Sequence, residues 1–168
     1  MFAITICRLW GADNRDWVQR QNVPVWVVQL FSAKKLDAQY EFAFSVNPFY
    51  LRGDFNGDEK SDIAILVRNK QSGKIGIAIC HAVRNEIFFV GAGTAVGNGG
   101  DDFSWMDVWQ VYPRPAVSGG TNSATKLVGE ALLVEKSESG GGLICWGGKQ
   151  VATARRLGSL FGASAPPC

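Results

Sequence analysis

Side-chain oxygens recur at alternate positions of one short stretch of the chain. Asp54, Asn56 and Asp58 stand at its first, third and fifth positions, and Asp62 stands at its ninth. Ca²⁺ takes about six to eight oxygen ligands on a flexible frame, and alternating side chains of a tightly turned loop converge inward. We therefore expect a calcium site to which these four side chains and the carbonyl of Lys60 contribute, with water completing the shell.

This stretch resembles the calcium loop of FG-GAP or VCBS-type repeats, which build integrin alpha-subunit propellers and many secreted bacterial proteins. The family pattern is Asp-x-Asn/Asp-Gly-Asp-Gly-x-x-Asp followed by an apolar strand. It is matched at Asp54, Asn56, Gly57, Asp58, Asp62 and the strand Ile63–Val67. The resemblance implies a calcium-binding β module. Because Ca²⁺ is plentiful outside the cell, a secreted or periplasmic protein is expected.

Glu59 departs from the family pattern, which has glycine at that position. A glutamate held at positive φ carries strain, so the departure predicts weakened calcium binding. Two other interpretations stay open. The acidic side chains could cap backbone amides of a polar turn, or the loop could be a degenerate relative that keeps the shape without the metal. Four correctly phased oxygens are more than a turn needs, which favours the metal loop. The chain carries one such loop and no repeat array.

A second group of acidic residues follows a glycine-rich segment. The segment Gly91–Asp102 ends in Asp101 and Asp102, and Asp107 follows shortly after. Together with His81, the only histidine, these carboxylates suggest a small hydrolase as the alternative function. No Gly-x-Ser-x-Gly nucleophile motif exists. The preferred interpretation is a solvated loop, a turn-edge histidine and a non-catalytic protein.

Composition limits the classes of partner. The 168 residues are 46% hydrophobic and 19% charged, which is typical of one globular domain. A net charge of +2 and scattered basic residues do not indicate nucleic-acid binding. No apolar run reaches the length of about eighteen residues that a membrane span needs. The ligand is expected to be an unknown protein or a carbohydrate, for which surface tryptophans, best Trp105 and Trp109, could form a platform.

Cysteine spacing excludes a typical zinc site. Cys7, Cys80, Cys145 and Cys168 form no Cys-x-x-Cys pair. Cys80 and Cys145 lie in apolar runs, so we expect buried free thiols. A Cys80–Cys145 disulfide is the alternative, and it would require adjacent strands and an oxidising compartment.

Hydrophobic patterning predicts a mainly β fold with an antiparallel sheet or meander. Its architecture is expected to resemble a sandwich or a single propeller blade. A minor N-terminal helix is expected at residues 17–21. Residues 1–150 form the β domain, and 151–168 are an atypical tail, helical to about Leu160 or disordered. The predicted strands are Val25–Phe31 (with helix as the alternative), Tyr40–Val46, Phe49–Leu51, Ile63–Val67, Ile75–Cys80, Glu86–Val90, Trp105–Tyr112, Leu127–Lys136 and Leu143–Trp146.

Overall fold

The structure, a computed structural model, describes residues 17, 21–96, 99–113 and 128–147, and the backbone of 151–155. A helix, α1 (Val25–Ala33), and a 3-10 turn (Leu36–Ala38) precede the strands. The strands are β1 (Tyr40–Phe42), β2 (Tyr50–Gly53), β3 (Asp62–Asn69), β4 (Ile75–His81), β5 (Glu86–Gly91), β6 (Val108–Tyr112), β7 (Ala131–Lys136), β8 (Gly140–Trp146) and β9 (Val151–Arg155). The expected mainly β, antiparallel class with a minor helix is confirmed.

The first sheet is five-stranded, and β3 is its central strand. β1 and β2 both pair with β3 along one edge, with Phe42 opposite Val67 and Tyr50 opposite Ile65. The residues between them contain a cis Asn47–Pro48 peptide bond. On the other side, β3, β4 and β5 form the antiparallel meander that the apolar alternation predicted.

The second sheet is four-stranded, in the order β6-β7-β8-β9. Its last strand corrects the prediction for the tail. Residues 151–155 form β9 and pair antiparallel with β8 from Gly142 to Trp146, where a loose helix was expected. The rest of the predicted tail, residues 156–168, lies outside the described part of the chain, as do residues 18–20 of the predicted N-terminal helix.

One buried cluster holds the two sheets together. It contains Leu66 and Ile77 from the first sheet, and Trp109 and Leu132 from the second. Trp109, which the sequence analysis named as a candidate for a surface platform, is only 3% exposed. Since each sheet contributes one apolar face, the two sheets pack face to face, as in a sandwich.

The helix α1 corrects the strand predicted at Val25–Phe31. Its β-branched and aromatic composition favours a strand, but Val27, Leu30 and Phe31 are buried at helical spacing. Pro24 precedes the first helical residue. The buried stripe packs on the face of the first sheet that lies opposite the second sheet.

The cysteines divide into two chemical states. Cys80 is a free buried thiol, as expected, and burial raises its pKa to about 12, with the Asp62 carboxylate adding to the effect. Cys145 is disulfide-bonded, which corrects the expected free thiol. Because Cys80 is free, the two are not joined to each other. Cys7 and Cys168 lie outside the described residues. No helix in the described part of the chain has both the length and the apolar character to cross a membrane.

Candidate metal-binding loop

The loop between β2 and β3 carries the predicted ligands and is fixed at both ends. β2 ends at Gly53 and β3 begins at Asp62. Phe55 is buried and belongs to the cluster between the sheets, and Asn56 is 7% exposed. The first half of the loop is therefore held by the core, which places the polar groups at the end of the sandwich.

Asp54 organises the turn through its carboxylate. Its Oδ1 accepts the backbone N–H groups of Gly57 at 2.7 Å and Asp58 at 2.9 Å. Its Oδ2 accepts the N–H of Glu59 at 3.1 Å. Three backbone amides therefore point at one carboxylate, which closes the turn around Asp54.

Asn56 and Asp58 continue the pattern. The N–H of Asp58 donates to Asn56 Oδ1 at 3.0 Å, and the N–H of Lys60 donates to Asp58 Oδ1 at 2.9 Å. Asn56 Nδ2 donates to Asp58 Oδ2 at 3.1 Å. In this geometry, no three His, Cys, Asp or Glu side chains of the described residues converge closely enough to hold a metal ion. The side chains cap the loop's own amides, as in a polar turn.

Asp62 differs from the other three because it is fully buried. Its Oδ1 accepts the N–H of Ala82 at 3.0 Å. Its Oδ2 has no hydrogen-bond partner among the residues that the structure describes, and His81 Nε2 lies 4.0 Å away from it. A buried carboxylate oxygen without a partner costs free energy and calls for an explanation.

The electrostatic environment of Asp62 reflects this burial. The pKa of Asp62 is raised from 3.8 to about 6, chiefly by desolvation, with the negative charges of Asp58 and Asp54 adding to the rise and hydrogen bonding to the Ala82 and Asn56 backbone opposing it. The Asp62 carboxylate therefore feels the charges of the other two carboxylates of the loop. A cation among them would relieve that repulsion.

His81 is the last residue of β4 and adjoins the turn to β5, the turn-edge position that was expected, but its side chain is fully buried. Its ring packs against Phe88 and Trp146, with centroids 5.1 Å and 5.0 Å away. Neither ring nitrogen has a hydrogen-bond partner within the described part of the chain. Desolvation lowers its pKa, so the imidazole is neutral at physiological pH and does not form an ion pair with Asp62.

Two loop residues adopt left-handed backbone conformations. Gly57 has φ of 78° and Glu59 has φ of 62°. A Cβ on Gly57 would lie 2.3 Å from the carbonyl oxygen of Val128, so only glycine fits there. Glu59 occupies the position where the family pattern has glycine, in the strained conformation that the sequence predicted.

We expect Glu59→Gly to stabilise the protein by about 1 kcal/mol, because glycine adopts this backbone conformation without steric cost. Chemical denaturation in excess EDTA measures the effect. Glu138 is a matched control, since its φ is 60° in the exposed turn between β7 and β8. Glu138→Gly should stabilise by a similar amount. Only Glu59→Gly should also strengthen calcium binding; equal effects of both variants on calcium affinity would contradict a role of Glu59 in the loop.

Glu130 is a residue of the site that sequence analysis missed. Its Oε2 accepts the N–H of Asp54 at 2.7 Å, and its own N–H donates to the Asp54 carbonyl oxygen at 2.7 Å. The second sheet therefore holds the first residue of the loop from the far side. No local pattern reveals such a contact, because the two residues are 76 positions apart.

The acidic residues of the alternative hydrolase site are engaged in structural bonds. Asp101 pairs with Lys74. Asp102 accepts the N–H groups of Ile75 and Ser104, both at 3.0 Å. Asp102 therefore lies at the start of β4, whereas His81 ends that strand, roughly 20 Å away for six residues of extended chain.

Asp107 is used in the same way, since its Oδ1 accepts the N–H of Ser137 at 2.7 Å. Desolvation acts to raise the pKa of Asp102, but the hydrogen bonds from Ile75 and Ser104 and the charge of Lys74 together hold it below its ordinary value. The pKa of Asp107 is lowered chiefly by the hydrogen bond from the Ser137 N–H, against a smaller effect of desolvation. Gly97 and Asn98 lie outside the described residues. The hydrolase constellation is not assembled by the described residues.

Comparisons of this chain with protein-family models, with curated proteins and with solved structures give no match.

Proposed function

We propose that the chain is a non-catalytic β domain of FG-GAP or VCBS type whose β2–β3 loop binds Ca²⁺. The observation that carries the proposal is the Oδ2 of Asp62, a buried oxygen that has no hydrogen-bond partner among the described residues, in a carboxyl group whose pKa the charges of Asp58 and Asp54 help to raise. Buried charged groups are paired or coordinate metals. A divalent cation would give this oxygen a partner and would neutralise Asp54 and Asp58 at the same time.

The residues that would hold the ion are those that the spacing predicts. Asp54, Asn56, Asp58 and Asp62 offer side-chain oxygens, and Lys60 offers its carbonyl. They fit a hard cation because every donor is oxygen. Bound there, the ion would supply charge neutralisation and fix the junction of β2 and β3. Because Glu130 already holds Asp54 from the second sheet, an ordered loop also strengthens the contact between the sheets.

The role that follows is structural or binding. Such a module works where Ca²⁺ is abundant, so we propose a secreted or periplasmic location with a protein or carbohydrate ligand. The hydrolase alternative loses support, because His81 is buried and Asp102 lies at the other end of β4. The competing interpretation is that the β2–β3 loop is a polar turn that binds no metal. It is favoured by the hydrogen bonds that Asp54 and Asp58 already accept.

Isothermal titration of the purified chain with Ca²⁺ and Mg²⁺ distinguishes a calcium-binding loop from a metal-free polar turn. We expect one calcium site that Asp58→Ala removes, with much weaker binding of Mg²⁺, which demands a stricter octahedral shell. Asp101→Ala is the matched control, since it removes an acidic residue outside the loop that pairs with Lys74. Equal loss of binding in both variants, or no calcium heat at all, would reject the proposal.

A further inference from the structure

A groove of about 550 Å³ lies between the exposed side of α1 and the turn that joins β4 to β5. Its apolar lining includes Trp26, Leu30 and Ala82, and its polar lining consists of Gln29, Lys34 and Asn85. The volume falls within the range of roughly 300–1,000 Å³ that small-molecule sites occupy. It lies apart from the acidic residues of the β2–β3 loop, none of which lines it.

The polar groups around the groove are not used by the fold. Among the described residues, none forms a hydrogen bond or an ion pair with the side chains of Gln29, Lys34 or Asn85, or with the indole N–H of Trp26. Four of the seven lining residues therefore carry side chains able to donate hydrogen bonds, and the other three are apolar. A few polar groups beside apolar ones are typical of a ligand site.

The chemistry of these groups limits the classes of ligand that the groove could bind. Trp26 offers an amphipathic aromatic surface of the kind on which rings pack. The amides of Gln29 and Asn85 both donate and accept, as needed for neighbouring hydroxyl groups. Among the described residues, Lys34 is the one charged residue that lines the groove and no carboxylate lines it, so a ligand with a negative charge fits it. We infer that the groove binds a carbohydrate that carries a carboxylate.

One wall of the groove is tied to the β2–β3 loop. Ala82 donates its N–H to Asp62 Oδ1 at 3.0 Å, and Asn85 closes the same turn in a left-handed conformation with φ of 51°. The turn that carries Asn85 is therefore held in place from within the sandwich. The inference names the class of ligand that the proposed function left open and in that respect rests on it. The groove itself requires no metal, so it is tested separately in EDTA and in Ca²⁺.

The test is titration of the ¹⁵N-labelled chain with methyl glucuronide, with methyl glucoside as the matched neutral sugar. We expect saturable shifts of the side-chain N–H signals of Trp26, Gln29 and Asn85 with the glucuronide, and binding of the glucoside roughly tenfold weaker or more. Because Trp26 also packs against the core, Lys34→Gln carries the test. The Lys34→Gln substitution should weaken glucuronide binding roughly tenfold or more.

Lys35→Gln is the matched control, since it removes the same charge from the next residue, which does not line the groove. It should leave glucuronide affinity unchanged. Equal weakening by both variants would show general charge attraction and overturn the inference. Binding of both sugars with the same affinity would also overturn the inference. Side-chain signals that do not move at saturating glucuronide, in both EDTA and Ca²⁺, would overturn it as well.

Discussion

Trp109→Ala should destabilise the protein by roughly 3–5 kcal/mol, the cost of truncating a large buried aromatic side chain. Trp109 is 3% exposed on β6 and belongs to the cluster that joins the two sheets. Its Nε1 donates to the carbonyl oxygen of Pro48 at 2.9 Å, so it also binds the connection between β1 and β2. A single domain has a total stability of about 5–15 kcal/mol; the loss is therefore a large part of the whole. Urea denaturation measures it.

Two controls separate the contributions to this loss. Trp109→Phe keeps an aromatic ring but leaves the Pro48 oxygen without its donor, which should cost about 1–3 kcal/mol. Trp17 is 62% exposed, and Trp17→Ala should change stability by less than about 0.5 kcal/mol. If Trp109→Ala and Trp17→Ala unfold at the same urea concentration, the two sheets are not held together as described.

Asp62→Asn should make the metal-free protein more stable at pH 7.5. Asparagine keeps the oxygen that accepts the Ala82 N–H and removes the buried charge. The pKa of Asp62 is about 6 in the fold against 3.8 ordinarily, and a shift of this size corresponds to roughly 3 kcal/mol. The folded state holds the proton more tightly than the unfolded chain. The free-energy cost of burying the Asp62 charge is therefore absent below pH 4 and complete above pH 6.

The pH profile in EDTA is a sharper form of the same test. The advantage of Asp62→Asn over wild type should grow from near zero at pH 4 to its full value above pH 6. The lowered pKa of His81 has the opposite effect, since the folded protein loses stability as the unfolded imidazole takes up a proton below pH 6.5. Because both proteins contain His81, comparison at each pH removes its contribution.

Asp58→Asn is the matched control for Asp62→Asn. Asp58 lies in the same loop but is only partly buried, and its Oδ1 accepts the Lys60 N–H. Its replacement should change metal-free stability little. Both variants should lose calcium binding. If Asp62→Asn is less stable than wild type in EDTA at pH 7.5, the Asp62 carboxylate has a partner in the fold and the reason for placing a cation beside it disappears.

The strands of the first sheet could be predicted because their residues alternate and their turns carry clear signals. Ile75, Ile77 and Ile79 share one face of β4, and all three pack in the cluster between the sheets. The segment of α1 was predicted as a strand, with helix as the alternative, because β-branched and aromatic composition favours a strand and seven residues are too few to settle the period. Val23, Val27, Leu30 and Phe31 follow helical spacing and are all buried, so that signal was present in the sequence.

Other features depend on contacts between distant residues. β9 is short and has no aromatic residue, so its composition does not predict a strand. Its residues form one because they pair with β8. At the loop, spacing predicted the acidic residues and the positive φ of Glu59. It could not predict the burial of Asp62, the bond from Glu130, or the groove beside α1, since each of these requires segments that only the fold brings together.

Thermal unfolding of the wild-type chain in excess EDTA and in millimolar Ca²⁺ tests the calcium loop most directly. Ligand that binds only the folded state adds about 2.7 kcal/mol at a hundredfold excess over Kd, which should raise the Tm by several degrees. Asp62→Asn should melt at the same temperature in both buffers. Superimposable wild-type curves at saturating Ca²⁺ would contradict the account and leave the loop as a polar turn closed by its own amides.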